Sequence, residues 1–249
     1  MIRGLAVERI KAKGRFIWMP VLMVLAVQTV YELWALSRFD SLDYAQGWAY
    51  FLYQLPLINC FMMPITIFMV ASRLADAEHK GETFRMLHTL QAQGVLFNNK
   101  LLYGLSYVLM LSILQMILVI VTGCGLGFGT VPWVKLGLFF VNIFSVGSCI
   151  YLLAQIFALL FRNQAISLVL GIGGSIMGLF ALFFPVGIQK LVIFAYYGVL
   201  CTVTLDWNEN TRVSIYNWRP FDISGFLTLA VMFVLLYIIG RILFARKEY

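Results

Sequence analysis

The chain has 249 residues, of which 62% are hydrophobic and 12% charged, with a mean hydropathy of +0.90. Soluble domains carry about 25% charged residues, so a water-exposed globular fold is excluded. The net charge of +7 does not point to nucleic acid, because no basic run outside the apolar stretches is interleaved with aromatics.

Residues 1–15 carry Arg3, Arg9, Lys11, Lys13 and Arg15, with Ile2, Leu5, Ala6 and Ile10 on one helical arc that Arg9 interrupts. Two readings fit: a basic, half-apolar helix lying in the membrane interface, or a positive flank that orients the first span. Six stretches then have the length and apolarity of a membrane helix, about 20 residues. They are Phe16–Leu36, Ala49–Leu74, Leu101–Val121, Val134–Phe161, Ala165–Phe184 and Ile223–Phe244. In lipid each must satisfy its own backbone polar groups, which predicts an all-α polytopic protein with one membrane domain over residues 1–249. The first stretch is too long for a signal core and lacks a small-x-small exit, so it reads as a retained span.

Span 1 carries Pro20 and Glu32, and span 2 carries Gln54, Pro56, Asn59 and Pro64. Proline removes a helical hydrogen bond and kinks the chain, which membrane helices tolerate where neighbours cover the freed groups. The charged segment Ser72–Lys100 follows. Spans 3 and 4 are joined by the Gly-rich Thr122–Trp133, and spans 4 and 5 by a tight turn at Arg162, Asn163 and Gln164. In span 5, Gly174-x-x-x-Gly178 predicts close helix packing. Between spans 5 and 6, Leu191–Leu205 is apolar and aromatic, but as a helix it reaches only about 22 Å, short of the roughly 30 Å core. It is expected to be re-entrant or to lie in the interface. Asp206–Pro220 then forms a polar cap with Trp207, Glu209 and Trp218. No segment between spans is long enough to bury a soluble core.

Of the 18 Lys and Arg, only Arg38, Lys135, Lys190, Arg212 and Arg219 fall on the side away from the termini. The positive-inside rule therefore places both termini in the cytoplasm. Cys60 and Cys149 lie inside spans; Cys124 and Cys201 lie on the outer side, where free thiols and a bridge are both compatible with the sequence. No metal-ligand spacing occurs. No G-x-x-x-x-G-K-[ST] loop is present, so the chain holds no nucleotide phosphates by that device. His79 and His88 are the two histidines and lie in the charged segment, so the span serines have no histidine base. The spans have no ladder of Asp, Glu or His for a proton relay.

The charged segment is the sharpest feature. Glu78 to Gln91 can form a short helix in which Phe84, Leu87 and Leu90 recur at three-residue spacing among Glu78, Lys80, Glu82 and Arg85. Such a helix can lie on the lipid surface or insert its apolar ridge into a partner's groove. The pattern Glu78-x-x-Gly81-x-Thr83-Phe84-Arg85-x-Leu87, with Lys100 at the next span, resembles the loop of type-2 ABC exporter permeases. So does the order of parts: interfacial helix, six spans, and a re-entrant segment before the last. The start, Glu8-Arg-Ile-Lys11-Ala-Lys13 ahead of an aromatic-Pro opening of span 1, resembles the lantibiotic-immunity branch.

The resemblance implies a permease subunit of a bacterial cytoplasmic membrane exporter. An ABC ATPase on another chain, in two copies, would bind ATP and Mg. A second six-span permease, homologous or identical, would complete the complex. Glu78, Gly81, Glu82, Phe84, Arg85 and Leu87 would form the coupling helix, with Phe84 and Leu87 as apolar anchor and Glu82 and Arg85 as rim charge. The cargo of that branch is an amphiphilic antimicrobial peptide. Candidate contacts for it are Glu32, Trp34, Gln54, Asn59, Trp207, Glu209 and Trp218. Their ordinary readings are lipid anchors for the tryptophans and interhelical bonds for Gln54 and Asn59. Two other functions stay open: the same exporter with another cargo, and a membrane sensor or assembly module that binds no ATPase.

Overall fold

Six helices have the length and hydropathy of membrane spans. In the computed structural model, which describes residues 2–40, 44–81, 93–161, 163–208 and 213–246, a short helix α1 (Ile2–Ala12) precedes them. The spans are α2 (Trp18–Leu36), α3 (Gly47–Gly81), α4 (Gln93–Gly125), α5 (Trp133–Leu160), α6 (Gln164–Ala181) and α9 (Ile223–Arg246). All six coincide with the apolar stretches, and the segment before α2 and the end of α9, the described parts nearest the termini, lie at one end of the bundle. There Phe97 of α4 packs on Phe244 of α9, and Arg15 pairs with Asp76 of α3.

Helix α3 continues through Pro56 and Pro64 without a break. It also runs past the expected boundary at Leu74, so Glu78 and Gly81 lie in the same helix as span 2. Elsewhere the local chemistry marks the ends. Gly127 and Gly129 take φ of 71° and 86° in the turn from α4 to α5, a left-handed region open to glycine. Asn163 caps α6 by accepting from the Ala165 amide at 2.9 Å.

The core runs along α3 and α5, where Phe51, Leu52, Leu55, Met63, Phe68, Leu136, Ile143 and Tyr151 are enclosed. Helix α9 lies at the rim and buries only Gly225, Leu229, Gly240 and Phe244 among its described residues. Phe226, Met232, Phe233 and Leu236 pack on the core, and the exposed Leu227, Val231 and Leu235 suit lipid, which is as good a solvent for Leu as a neighbouring helix.

Between α6 and α9 the chain does not span. It forms α7 (Val186–Gln189), a 3-10 turn (Ile193–Ala195) and α8 (Tyr196–Val199). An antiparallel hairpin of β1 (Val203–Asn208) and β2 (Val213–Trp218) follows, pairing Val203 with Trp218. The polar cap is therefore a β-hairpin, an exception to the otherwise helical fold, and Val203–Leu205 belongs to it rather than to the apolar segment. Phe194, Ala195, Tyr196 and Tyr197 are buried. A Cβ at Gly174 or Gly178 would come within 2.6 or 2.9 Å of Phe194. The small-residue pair thus admits the re-entrant turn, and Gly171, against Phe68, is the one that lets α6 approach α3. Asn142 Nδ2 donates to the Tyr197 carbonyl at 3.0 Å, and the Arg219 guanidinium to that of Val199. These bonds satisfy backbone groups that leave regular structure inside the bundle. All four cysteines are free thiols; Cys201 is buried with its Sγ 3.4 Å from the Leu52 carbonyl, so no bridge joins it to Cys124.

Candidate functional site

Where α2, α3 and α4 meet inside the membrane, three amides close a ring. Gln28, Asn59 and Gln115 are each fully buried. Gln28 Nε2 donates to Asn59 Oδ1 at 2.8 Å, and Asn59 Nδ2 to Gln115 Oε1 at 3.1 Å. Gln115 Nε2 donates to Gln28 Oε1 at 2.7 Å and to Asn59 Oδ1 at 3.0 Å. Apolar surroundings make an unpaired amide costly, so each side chain fixes the other two.

Four residues along α2 stands Glu32, on the same helical face as Gln28 and the buried Val21, Val24 and Ala35. It is 3% exposed, and neither carboxyl oxygen has a hydrogen-bond partner among the described residues. By helical rise it lies about 6 Å from Gln28, toward the hairpin end of the bundle.

The other candidates sit differently. Trp34, two residues beyond Glu32, is on the opposite, exposed face, with the Arg38 guanidinium 4.3 Å from its ring. Gln54 is half-buried. Trp207 and Trp218 are exposed on the hairpin, and Lys135 Nζ is 5.2 Å from the Trp218 ring. Glu209 lies outside the described residues. The expected outer site is thus divided: Glu32 and Asn59 are inside the bundle, and the tryptophans are on its surface, where an interfacial anchor belongs.

At the hairpin end, rings rather than amides hold the spans. Phe128, from the α4–α5 turn, is 5.7 Å from Phe51, 6.1 Å from Trp48 and 6.4 Å from Phe39. Tyr216 of β2 packs on Tyr50 and Tyr53 at 5.5 and 5.7 Å, and its amide donates to Gln46 Oε1 at 2.7 Å.

At the opposite end α1 is seated on the bundle rather than only on lipid. Glu8 is turned inward, 3% exposed, while Ile10 is 73% exposed. The Glu8 carboxylate pairs with Lys11 at 3.2 Å and with the buried Lys100, at the foot of α4, at 3.4 Å. Lys100 Nζ also donates to the Leu74 carbonyl of α3 at 3.2 Å. Beside it, Arg15 pairs with Asp76 at 3.2 Å, and Arg73 donates to the Phe16 carbonyl at 3.1 Å. Gly4 abuts Asn99 so closely that a Cβ there would lie 2.4 Å from the amide. Helix α1 therefore ties together the two span helices that flank residues 82–92.

Of the expected coupling residues, Glu78 and Gly81 lie in α3; Glu82, Phe84, Arg85 and Leu87 lie outside the described residues. The sequence reading missed Gln28 and Gln115 as partners of Asn59, and Glu8 as a buried acid. The available signal was the cost of a polar side chain in mid-span, which requires a partner.

The family profile described as ABC-2 family transporter protein matches residues 5–178. The chain belongs to the ABC-2 transporter family. No curated protein and no solved structure is significantly similar to it. The matched range covers α1 to most of α6, and so includes the Glu8–Lys100 junction, the amide ring and Glu32. Membership and the six apolar helices make the chain a multi-pass membrane permease of an ABC transporter. The family is the transmembrane component of such transporters, and ATP hydrolysis normally belongs to a separate ATPase.

Proposed function

We propose that the chain is the permease subunit of an ATP-driven exporter that expels an amphiphilic peptide of the lantibiotic type and so protects the bacterium that carries it. Family membership across α1 to α6, in a chain without a phosphate-cradling loop, carries the permease part of this reading; the peptide cargo rests on the resemblance of Glu8-Arg-Ile-Lys11-Ala-Lys13 and the aromatic-Pro opening of span 1 to the lantibiotic-immunity branch. Both termini and the Ser72–Lys100 segment face the cytoplasm, as the distribution of Lys and Arg favours. Glu78, Gly81, Glu82, Phe84, Arg85 and Leu87 dock on the ATPase, two copies of which bind ATP and Mg. Phe84 and Leu87 supply the apolar anchor, and Glu82 and Arg85 set register and rate. A second six-span permease pairs with this one. The hairpin end faces outward, and its exposed Trp207 and Trp218 suit a cargo that is half in lipid.

The test is a nanodisc pull-down of the tagged chain, co-expressed with its neighbouring genes, followed by mass spectrometry. Recovery of an ATPase and a second permease is the expected outcome. A chain carrying Phe84→Ala and Leu87→Ala should insert normally and lose the ATPase. If the wild-type chain is recovered intact and alone, the exporter reading fails.

A further inference from the structure

Among the described residues of the six spans, Glu32 is the one buried carboxyl. A carboxylate in that position, with nothing bonded to either oxygen, would be heavily penalised by lost hydration. Among the described residues, the helices packed on α2 provide no counter-charge near it, and Arg38, just past the end of α2 itself, lies over the Trp34 ring. Arg73 and Asp76 of α3 and Lys100 of α4 all lie at the α1 end of the bundle, engaged with Phe16, Arg15 and Glu8 respectively. Between those ends the titratable groups of α3 and α4 are hydroxyls and thiols: Tyr50, Tyr53 and Cys60, and Tyr103, Tyr107 and Cys124. A proton on the carboxyl would remove that penalty.

Its setting is also that of a ligand site. Gln28 and Asn59 each keep one amide hydrogen unused in the ring; the oxygens of Gln28 and Gln115 each accept one bond and keep a second lone pair, while Asn59 Oδ1 already accepts two, and Gln28 stands one helical turn from the carboxyl. A carboxylate backed by amide oxygens is a donor set for a monovalent cation, and an ammonium brings three N–H groups to meet it. The reverse face of the same two turns of α2, at Val27, Val30 and Leu33, is exposed to lipid. The site is thus one helix thickness from the solvent in which an amphiphile travels.

We propose that Glu32, supported by the Gln28–Asn59–Gln115 ring, is an intramembrane cation site. The carboxyl is protonated when the site is empty and exchanges that proton for a monovalent cationic group. On exchange the O–H bond breaks, the proton passes to water, and the carboxylate holds the incoming cation; no electrons are transferred. The cation is either an inorganic ion or the ammonium of a cargo, and the second source rests on the exporter reading.

Dicyclohexylcarbodiimide adds to protonated carboxyls in apolar surroundings, and mass spectrometry locates the adduct. The full chain, co-purified with whatever partners it retains, is labelled in nanodiscs at neutral pH. Glu32 is expected to be modified in wild type, and the adduct to be absent in Glu32→Gln. Dodecylammonium should slow modification several-fold, while neutral N-dodecylacetamide does not. Protection by sodium in place of choline, without protection by dodecylammonium, also supports the site and assigns it to an inorganic ion. Gln115→Leu should keep the label and lose the protection. Unmodified Glu32 in wild type, or modification at a rate that no cation changes, overturns the proposal. The readout belongs to this chain alone, so its failure is distinct from failure to recover an ATPase.

Discussion

At one end of the bundle, α1, α3 and α4 are joined by charge: Glu8 and Lys100 are both buried and paired, and Lys100 also reaches the Leu74 carbonyl. In mid-membrane, α3 and α4 meet α2 through Gln28, Asn59 and Gln115, with no charge at all. The two clusters face the same difficulty, polar groups away from water, at different depths. At the α1 end the ion pair is backed by Lys11, which also holds Glu8, and by the Leu74 carbonyl, which accepts from Lys100. Deeper in, neutral amides that satisfy one another are the cheaper solution. Glu32 follows neither pattern, and its departure from both makes it a candidate for chemistry rather than architecture.

The comparison predicts unequal costs of damage. Lys100→Ala removes one of the two ammonium groups on the buried Glu8 carboxylate, leaving Lys11 at 3.2 Å, and frees the Leu74 carbonyl, so it should cost about 2–3 kcal/mol. Thermal unfolding of the purified chain in nanodiscs measures this. Replacing both partners, Glu8→Leu with Lys100→Met, should recover most of the loss. A double variant as unstable as the single one would show that Lys100 acts mainly through the Leu74 carbonyl, and that the junction is not ionic in origin.

Gln115→Ala should cost less, about 1 kcal/mol, because hydrogen bonds between membrane helices are individually modest and the remaining amides can pair with each other. Gln28 and Asn59 keep their mutual bond of 2.8 Å in this variant. The same unfolding assay applies. A loss equal to that of Lys100→Ala would remove the distinction between the two clusters.

The six spans were legible because twenty apolar residues have few alternatives to a membrane helix. Glu32 and Asn59 were legible as unusual, since a polar group in mid-span is costly. Their surroundings were not: nothing in a span's own sequence says which neighbour Asn59 will meet, so Gln28 and Gln115 went unpaired on paper. Helix α1 was read from its apolar arc, yet Glu8 is the residue that fixes it, and its partner Lys100 lies 92 residues away. Gly174 and Gly178 advertised close approach, but the intruder, Phe194, comes from a segment with no periodicity to follow. The hairpin had a signal that was not used. Val203-Thr-Leu-Asp-Trp-Asn208 and Val213-Ser-Ile-Tyr-Asn-Trp218 are two short, β-branched and aromatic runs separated by a polar turn.

The smallest predicted effect is at the start of α9, where charge acts at the surface instead of in the bundle. Asp222 Oδ1 accepts from the Gly225 amide at 2.9 Å and from Ser224 Oγ at 2.7 Å, and Oδ2 pairs with Lys190 at 2.7 Å. Partial desolvation pushes its pKa up, but the bonds from Lys190, Ser224 and Gly225 outweigh it and hold the carboxyl well below the usual range. A carboxyl that is more acidic in the folded chain contributes stability at pH above its unfolded value, about 4, and loses it as pH falls through the folded value. Asp222→Asn keeps a cap acceptor and loses the charge, so it should cost a few tenths of a kcal/mol to about 1 at neutral pH. It should also abolish the acid-dependent part. Hydrogen exchange in the first turn of α9 reports both. In wild type, protection there should weaken on acidification and with added salt, which screens the Lys190 pair. If the Asp222→Asn chain still loses that protection in acid, the titrating group is elsewhere, and the surface pair does not belong in the comparison.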